Sequence, residues 1–331
     1  VKKKHALLVY NERPHRPRRH DGNIVETSTF AGISSNPGMA HFITRLRSLR
    51  TALTLSATGL PFVCAHADHA GTVGAKTGAE PPAHLARLVE AYPQALETID
   101  GNWLAWRDGT RMALDDGTGP KPFAVWLAAP DIEDTLSIPY PAGAGPIEPA
   151  RESDPGRARN GAFFDKMYGD CRKGEVTAKL RTVVWLPTKA PQRLSVTSVN
   201  GVADRLAAVS KELDALPATL DKYLIPSAGT YNCRTIAGTD RVSAHGYGIA
   251  IDLAVGQSDY WQWAAKTPGP IAYRNRIPLE IVHIFERHGF IWGGRWYHYD
   301  TMHFEYRPEL LPPLAPLDET ADASPSTSAE K

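Results

Sequence analysis

The stretch that decides the fold runs from residue 243 to residue 253 and reads SAHGYGIAIDL. Its second half, with alternating apolar residues, predicts a strand, and the small residues before it predict a loop. His245 and Asp252 flank this loop-to-strand junction, where both side chains can lie on one side. An imidazole and a carboxylate placed together in this way indicate part of a metal site.

A second stretch, residues 296–305, reads WYHYDTMHFE. A histidine from it would complete a set of two histidines and one carboxylate, which leaves a fourth tetrahedral position for water and is typical of catalytic zinc. His303 is the predicted third ligand. Asp300, three residues earlier, has the chemistry of a general base that takes a proton from such a water.

Other histidines offer alternatives to this assignment. His298 is a competing ligand, but only His303 has an acidic residue three positions before it. Glu305 can act as base in place of Asp300, although a supporting role beside a ligand is the preferred interpretation. His283 and His288 flank Glu286 without the HExxH spacing, which favours a helix surface.

The two stretches match SxHxxGxAxD and [D/E]xxH in that order, and together they resemble the VanY-like M15 peptidases, a superfamily of zinc D-alanyl-D-alanine carboxypeptidases and dipeptidases. The resemblance covers about residues 177–311. It implies one zinc ion per chain on His245, Asp252 and His303, with Asp300 as the base. Aspartate at the base position is similar to the L-alanyl-D-glutamate endopeptidases of the superfamily, whereas many relatives have glutamate, so the bond cut stays open.

Residues 229–234 read GTYNCR and are similar to the family's GYxxR segment. The resemblance predicts that Arg234 binds either a substrate carboxylate or the oxyanion of the tetrahedral intermediate, because a guanidinium offers a fixed fork of donors. A surface ion pair is the alternative. Tyr231 in the same segment is predicted to contact substrate.

Two further predictions concern the surroundings of the site. Trp292 lies in one of two aromatic segments that can line a substrate cleft, with a place in the core as the alternative. Ser243 lacks a GxSxG context, so it is interpreted as a residue that supports a metal ligand and not as a nucleophile.

The first 67 residues have the composition of a targeting segment. They hold ten Lys and Arg against three Asp and Glu, whereas the whole chain of 331 residues holds 37 against 36. Residues 39–67 show a basic region, an apolar region and an AHA exit site, which predicts a signal peptide, and residues 1–38 are interpreted as a non-native or disordered extension. The protein is therefore expected to be exported, to the periplasm or the cell wall. A buried amphipathic helix at 44–60 is the alternative.

The rest of the chain divides by composition. Residues 68–165 are predicted to be an accessory region, 166–311 the M15-like domain, and 312–331 a disordered tail rich in Pro, Ala, Ser and acidic residues. Helices are predicted at 84–96, 201–216 and 278–288, a hairpin at 103–117 and a strand at 176–186.

Mixed strands and helices without a regular βαβ alternation indicate an α+β fold. The resemblance implies its form, a small antiparallel sheet with flanking helices as in the D-Ala-D-Ala carboxypeptidase and Hedgehog-like zinc peptidase fold.

Cysteine usage and charge limit the class of protein. Once the signal peptide is removed, Cys171 and Cys233 remain, and in an exported protein they can form a disulfide or stay as two buried thiols. The net negative charge after residue 67 argues against nucleic-acid binding, and no stretch is suited to span a bilayer stably in the mature protein.

These observations predict a zinc peptidase that hydrolyses peptidoglycan stem peptides, most simply as a D-alanyl-D-alanine carboxypeptidase. The alternatives are an L-alanyl-D-glutamate type endopeptidase and a catalytically silent cell-wall-binding module on the same scaffold. A silent module need not keep a base, and here Asp300 and Arg234 are both present. The oligomeric state does not follow from the sequence.

Overall fold

The structure is a computed structural model that describes residues 81–264 and 269–317. The predicted extension (1–38), the signal peptide (39–67), the first residues of the accessory region and the last part of the tail lie outside the described residues.

The described part is an α+β structure, as predicted. Its seven α-helices are α1 (Ala83–Ala91), α2 (Phe123–Ala128), α3 (Gly161–Tyr168), α4 (Val202–Asp214), α5 (Asp221–Leu224), α6 (Trp261–Ala264) and α7 (Leu279–Arg287). Its eight strands are β1 (Leu96–Asp100), β2 (Trp103–Trp106), β3 (Arg111–Ala113), β4 (Leu180–Trp185), β5 (Gln192–Thr197), β6 (Ala250–Asp252), β7 (Phe290–Trp292) and β8 (His303–Tyr306). They form three small antiparallel sheets with the orders β1-β2-β3, β4-β5 and β6-β8-β7.

The two amphipathic helices predicted for the C-terminal half are present and cover the sheets. The apolar stripe of α4 is buried against β4 and against α7, and α7 packs on β7. Phe285 of α7 stacks on Phe304 of β8 with ring centroids 4.0 Å apart. Burial of these faces, worth about 1.5–3 kcal/mol for each large apolar side chain, fixes β8 in the middle of its sheet.

Two boundaries differ from the prediction. The helix expected over 84–96 ends at Ala91, and Leu96 begins β1 and pairs with Trp106. Pro93 explains the difference, because a proline disfavours helical conformation in the residue before it and supplies no N–H group to a helix. The strand expected over 176–186 is shorter, since residues 177–179 form a 3₁₀ turn ahead of β4.

The accessory residues and the predicted M15-like domain share one hydrophobic core. Polar contacts also connect the two parts: the Tyr92 hydroxyl donates to Glu309 (2.6 Å) and the Tyr140 hydroxyl donates to Glu286 (2.8 Å). Leu314, in the segment predicted as a tail, packs against the same core. The described residues of the accessory region are thus an integral part of the body that carries the site.

Cys171 and Cys233 are joined by a disulfide in the structure. The bond ties the short 3₁₀ turn after α3 to the loop that leads to His245. Within residues 81–264 and 269–317, no helix has the length and apolar character needed to cross a bilayer.

Candidate active site

His245 stands on a 3₁₀ turn, Ala244–Tyr247, that the sequence around it builds. The Ser243 hydroxyl accepts a hydrogen bond from the backbone N–H of His245 (3.4 Å) and so caps the turn. Gly248 ends the turn with a φ of +70°, a conformation that glycine adopts without strain. Ser243 therefore holds the turn that carries His245 through the backbone of His245 and not through its ring.

Asp252 and His303 meet because β6 and β8 pair in register, with these two residues directly opposite each other. Asp252 Oδ1 lies 3.0 Å from His303 Nδ1 and 3.2 Å from His245 Nε2. The two ring nitrogens are 3.3 Å apart. The three predicted ligands are thus brought together, with one atom of each at the corners of a nearly regular triangle.

Hydrogen bonds on the far side of each ring fix which nitrogen carries the proton. His245 Nδ1 donates to the carbonyl oxygen of Thr230 at 2.6 Å, so Nε2 keeps its lone pair toward the triangle. His303 Nε2 donates to Glu305 Oε2 at 3.1 Å, which leaves Nδ1 as the free lone pair. Partners of this kind orient the histidines of metal sites.

The triangle fits a tetrahedral cation. Three donors at the zinc bond lengths of about 2.0–2.1 Å are separated by about 3.3 Å from one another in tetrahedral coordination, close to the separations found here. Burial alone would lower the pKa of His303, but the adjacent carboxylates of Asp252 and Glu305 raise that pKa to about 10, so Nδ1 presents its lone pair only when a cation takes the place of its proton. The surroundings of the triangle therefore favour a positive charge.

Glu305 is the centre of a buried ion network behind His303. Arg159 Nη1 donates to Glu305 at 2.9 Å, and Arg307 Nη1 donates to its other oxygen at 3.1 Å. Burial opposes ionisation of Glu305, yet the Arg159 charge, the His303 hydrogen bond and Arg307 hold its pKa far below the usual range. Both oxygens of Glu305 are thus engaged by cationic or N–H groups, an arrangement suited to orienting His303 and not to accepting a proton from a water.

Asp300 lies beside the triangle on a loop held by close backbone contacts. Its N–H donates to the carbonyl of Gly293 (3.0 Å), and its carbonyl accepts from the N–H of His303 (3.2 Å). Within the described residues, Oδ1 of Asp300 is buried and has no hydrogen-bond partner. Burial and then the charge of Asp252 raise the pKa of Asp300 to about 6, a value suited to a general base near neutral pH.

The triangle and Asp300 line a cavity of about 290 Å³. Several arginine side chains and aromatic rings also line this cavity. Arg234 is exposed at this cavity, and Arg157, Arg159 and Arg241 also line it. Burial and then the charges of Arg159 and Arg157 lower the pKa of Arg241 to about 10, and no carboxylate of the described residues pairs with it. Such a wall is suited to bind an anionic group.

Two predicted substrate contacts are not at this cavity. Trp292 is 1% exposed, its Nε1–H donates to the carbonyl of Thr301 (2.9 Å), and its ring lies against the backbone of Gly294. It is a core residue that shapes the loop before Asp300. Tyr231 packs against the core near Thr177 and does not line the cavity. Tyr260, Trp261 and Trp296 are the aromatic residues that do line it.

Sequence reasoning missed the contribution of the accessory region. Arg157 and Arg159 reach the cavity from this region, and Asp154 binds His298 at its wall. The run of arginines at 157 and 159, next to Asp154, was a local signal of a charged cluster, but nothing in the spacing shows which distant residues it meets. His298, the competing ligand, is at the cavity but not in the triangle.

Residues 237–306 match a family model of the M15 peptidases whose description is D-alanyl-D-alanine carboxypeptidase. This part of the chain is therefore similar to the M15 peptidases. The M15 segment includes the triangle, Asp300 and Glu305, whereas Arg234 and the accessory region lie outside the match. A search of curated proteins found no match, and neither did a search of solved structures.

Proposed function

We propose that this M15 peptidase is a zinc-dependent enzyme that removes the terminal D-alanine from peptidoglycan stem peptides. One observation carries the proposal: three lone pairs converge at tetrahedral separations beside a buried carboxylate oxygen that has no partner among the described residues. His245, Asp252 and His303 would hold one zinc ion. A catalytically silent binding module would not require the unpartnered base.

The chemistry divides between the metal and the chain. When bound, zinc supplies a water of lowered pKa and polarises the scissile carbonyl. The Asp300 carboxylate accepts the proton of the attacking water and returns it to the leaving amine. Glu305 and the Thr230 carbonyl keep the two imidazoles in the tautomers that present lone pairs to the site.

The cationic wall favours a carboxypeptidase over an endopeptidase. A substrate cut one residue from its end brings a free carboxylate close to the scissile bond, whereas a bond inside the stem does not require one there. Arg234 and Arg241 line the cavity without a carboxylate partner in the described part of the chain, so they offer this charge a binding place. Arg234 is thus assigned to the substrate carboxylate.

Digestion of defined stem peptides tests the proposal. The protein is incubated with a pentapeptide stem that ends in D-Ala-D-Ala, and the products are identified by mass spectrometry, with purified peptidoglycan as a second substrate. We expect loss of one terminal alanine, abolition by chelation and recovery on addition of zinc. Cleavage between L-alanine and D-glutamate would show the endopeptidase instead, and zinc binding without any product would show the silent module.

A further inference from the structure

His298 and Asp154 form a hydrogen-bonded pair in the wall of the active-site cavity. The ring Nδ1 of His298 donates to Asp154 Oδ2 at 2.7 Å, and the backbone N–H of His298 donates to Oδ1 at 3.0 Å. The Asp154 side chain is fully buried. Burial opposes its ionisation, but the His298 hydrogen bond and the charge of Arg157 lower the pKa of Asp154, so the pair holds an anionic carboxylate.

The ring of His298 is held in one orientation. Phe123 stacks on it with centroids 5.3 Å apart, and Trp261 meets it edge to face at 4.8 Å. His298 lines the cavity, and with Nδ1 bound to Asp154 its Nε2 is the ring nitrogen that no group of residues 81–264 or 269–317 hydrogen-bonds. The side chain is 16% exposed although the ring is enclosed on its faces.

This arrangement has the features of a preorganised donor. A histidine whose Nδ1 is bound by a carboxylate keeps a fixed tautomer and ring angle. The charged groups around the ring are Asp154 and Arg157 behind it, and Asp300 with Arg159, Arg234 and Arg241 along the cavity. A fixed N–H group in such a site is most effective where negative charge develops during reaction.

We propose that Nε2–H of His298 donates a hydrogen bond to the scissile carbonyl oxygen as it becomes the oxyanion, and that Asp154 is the positioning residue for this donor. The inference rests on the proposed peptidase function and gives the accessory region a role in the reaction. His298 transfers no proton in this step; the interaction stabilises the tetrahedral intermediate and is weaker in the bound substrate.

The test compares wild type with His298→Ala, His298→Gln and Asp154→Asn, and His84→Gln in the exposed part of α1 is the matched control. All should retain one zinc by metal analysis. We expect kcat on the D-Ala-D-Ala peptide to fall about 10²–10³-fold in His298→Ala and about 10–100-fold in Asp154→Asn, with KM little changed. His298→Gln keeps a neutral donor and should recover part of the loss.

Two readouts separate this role from a structural one. Affinity for a phosphinate analogue of D-Ala-D-Ala, a tetrahedral anion, should fall in parallel with kcat across the variants. Ring ¹⁵N spectra should show His298 Nδ1 protonated in wild type and altered in Asp154→Asn, independently of turnover. If His298→Ala is too unstable to study, kcat and phosphinate affinity of His298→Gln and Asp154→Asn decide whether His298 acts as the donor.

Different experimental results would contradict the role of His298 and the proposed peptidase function. Folded, zinc-loaded His298 variants with wild-type kcat and phosphinate affinity would overturn the role of His298, and loss of zinc from His298→Ala would make it a ligand. A wild-type protein that binds zinc but cleaves no stem peptide would instead contradict the proposed function itself.

Discussion

Asp252 and Asp300 have the same type of side chain but lie in different surroundings. Burial opposes ionisation of Asp252, but His245 and His303 outweigh it and hold its pKa far below the ordinary value. Asp300 lacks such partners, and burial with the neighbouring Asp252 raises its pKa to about 6. The first is therefore suited to hold a cation and the second to exchange a proton.

Substitution of Asp300 separates these roles. Asp300→Ala should keep near-stoichiometric zinc and a folded structure, while kcat falls about 10²–10⁴-fold because a positioned general base is lost. Asp252→Ala is the comparison and should lose zinc. Metal analysis and steady-state kinetics on the same preparations check both. Loss of zinc from Asp300→Ala, or full activity, would contradict the assignment of Asp300 as base.

Glu305 should matter for stability as well as for zinc. Glu305→Gln leaves the buried Arg159 without a counter-charge, and we expect this to lower the unfolding free energy by about 3–5 kcal/mol. We also expect zinc binding to weaken about 10–100-fold, because His303 loses its carboxylate acceptor. Asp204→Asn, which removes an exposed ion pair with Arg181, should cost about 0–1 kcal/mol. Chemical denaturation of both variants and zinc titration test this; equal effects in the two would be evidence against the network.

At the scale of elements, the turn and strand that carry the ligands depend on Gly248. Its φ is +70°, and a Cβ atom would lie 3.0 Å from the backbone nitrogen of Thr197 at the end of β5. Gly248→Ala should therefore lower the unfolding free energy by about 1–3 kcal/mol and weaken zinc binding, since His245 and β6 lie on either side. Thermal unfolding and zinc titration measure these effects.

Gly256→Ala is the matched control for this element. Nothing lies within 4 Å of a Cβ at Gly256, and its φ is outside the left-handed range. We expect little change in stability or zinc affinity. Similar losses in the two variants would mean that the turn around Gly248 is not specifically constrained.

The sequence was sufficient for those elements in which local pattern and tertiary environment agree. The stripes of α4 and α7, the hairpin of β2 and β3 and the motif around His245 all follow from spacing and turn chemistry. β1 was missed because Leu96 lies at the end of a segment with helical apolar spacing, and its pairing with Trp106 is a contact between segments.

The residues of the site also fall into two groups, those that local motifs indicate and those that depend on contacts between distant segments. His245, Asp252, Asp300 and His303 could be identified because they lie in two short motifs. Trp292 was assigned to the substrate cleft because an aromatic residue has the same sequence signature in a cleft and in a core. Arg159 and Asp154 could not be placed, since their partners Glu305 and His298 are both more than a hundred residues later in the chain.

At the scale of the whole molecule, the accessory region and the M15 segment should not fold separately. A fragment that begins at residue 166 exposes core surface and lacks Tyr140, Arg159 and Tyr92, which bind Glu286, Glu305 and Glu309 respectively. We expect it to lack cooperative unfolding and zinc binding, as measured by circular dichroism and metal analysis, whereas a protein that starts near Asp68 should have both. A folded, zinc-binding fragment would show that the two parts are independent.

Export is the second prediction at this scale. The basic, apolar and AHA segments of residues 39–67 predict cleavage near Asp68, and a Cys171–Cys233 bond suits an oxidising compartment. N-terminal sequencing of protein recovered from the cell envelope of the native host should begin close to Asp68. A mature protein that still carries residues 1–38 would contradict the prediction.

The contact between Arg159 and Glu305 also has a consequence for how this protein can change over evolution. A buried guanidinium is tolerated at position 159 only while position 305 is acidic, and acidic 305 is tolerated only beside a cation. A chain in which only one of the two positions has been replaced should be less stable. The two positions should therefore covary among related chains that have both regions. Relatives that contain an M15 segment without the accessory region should be free of this coupling.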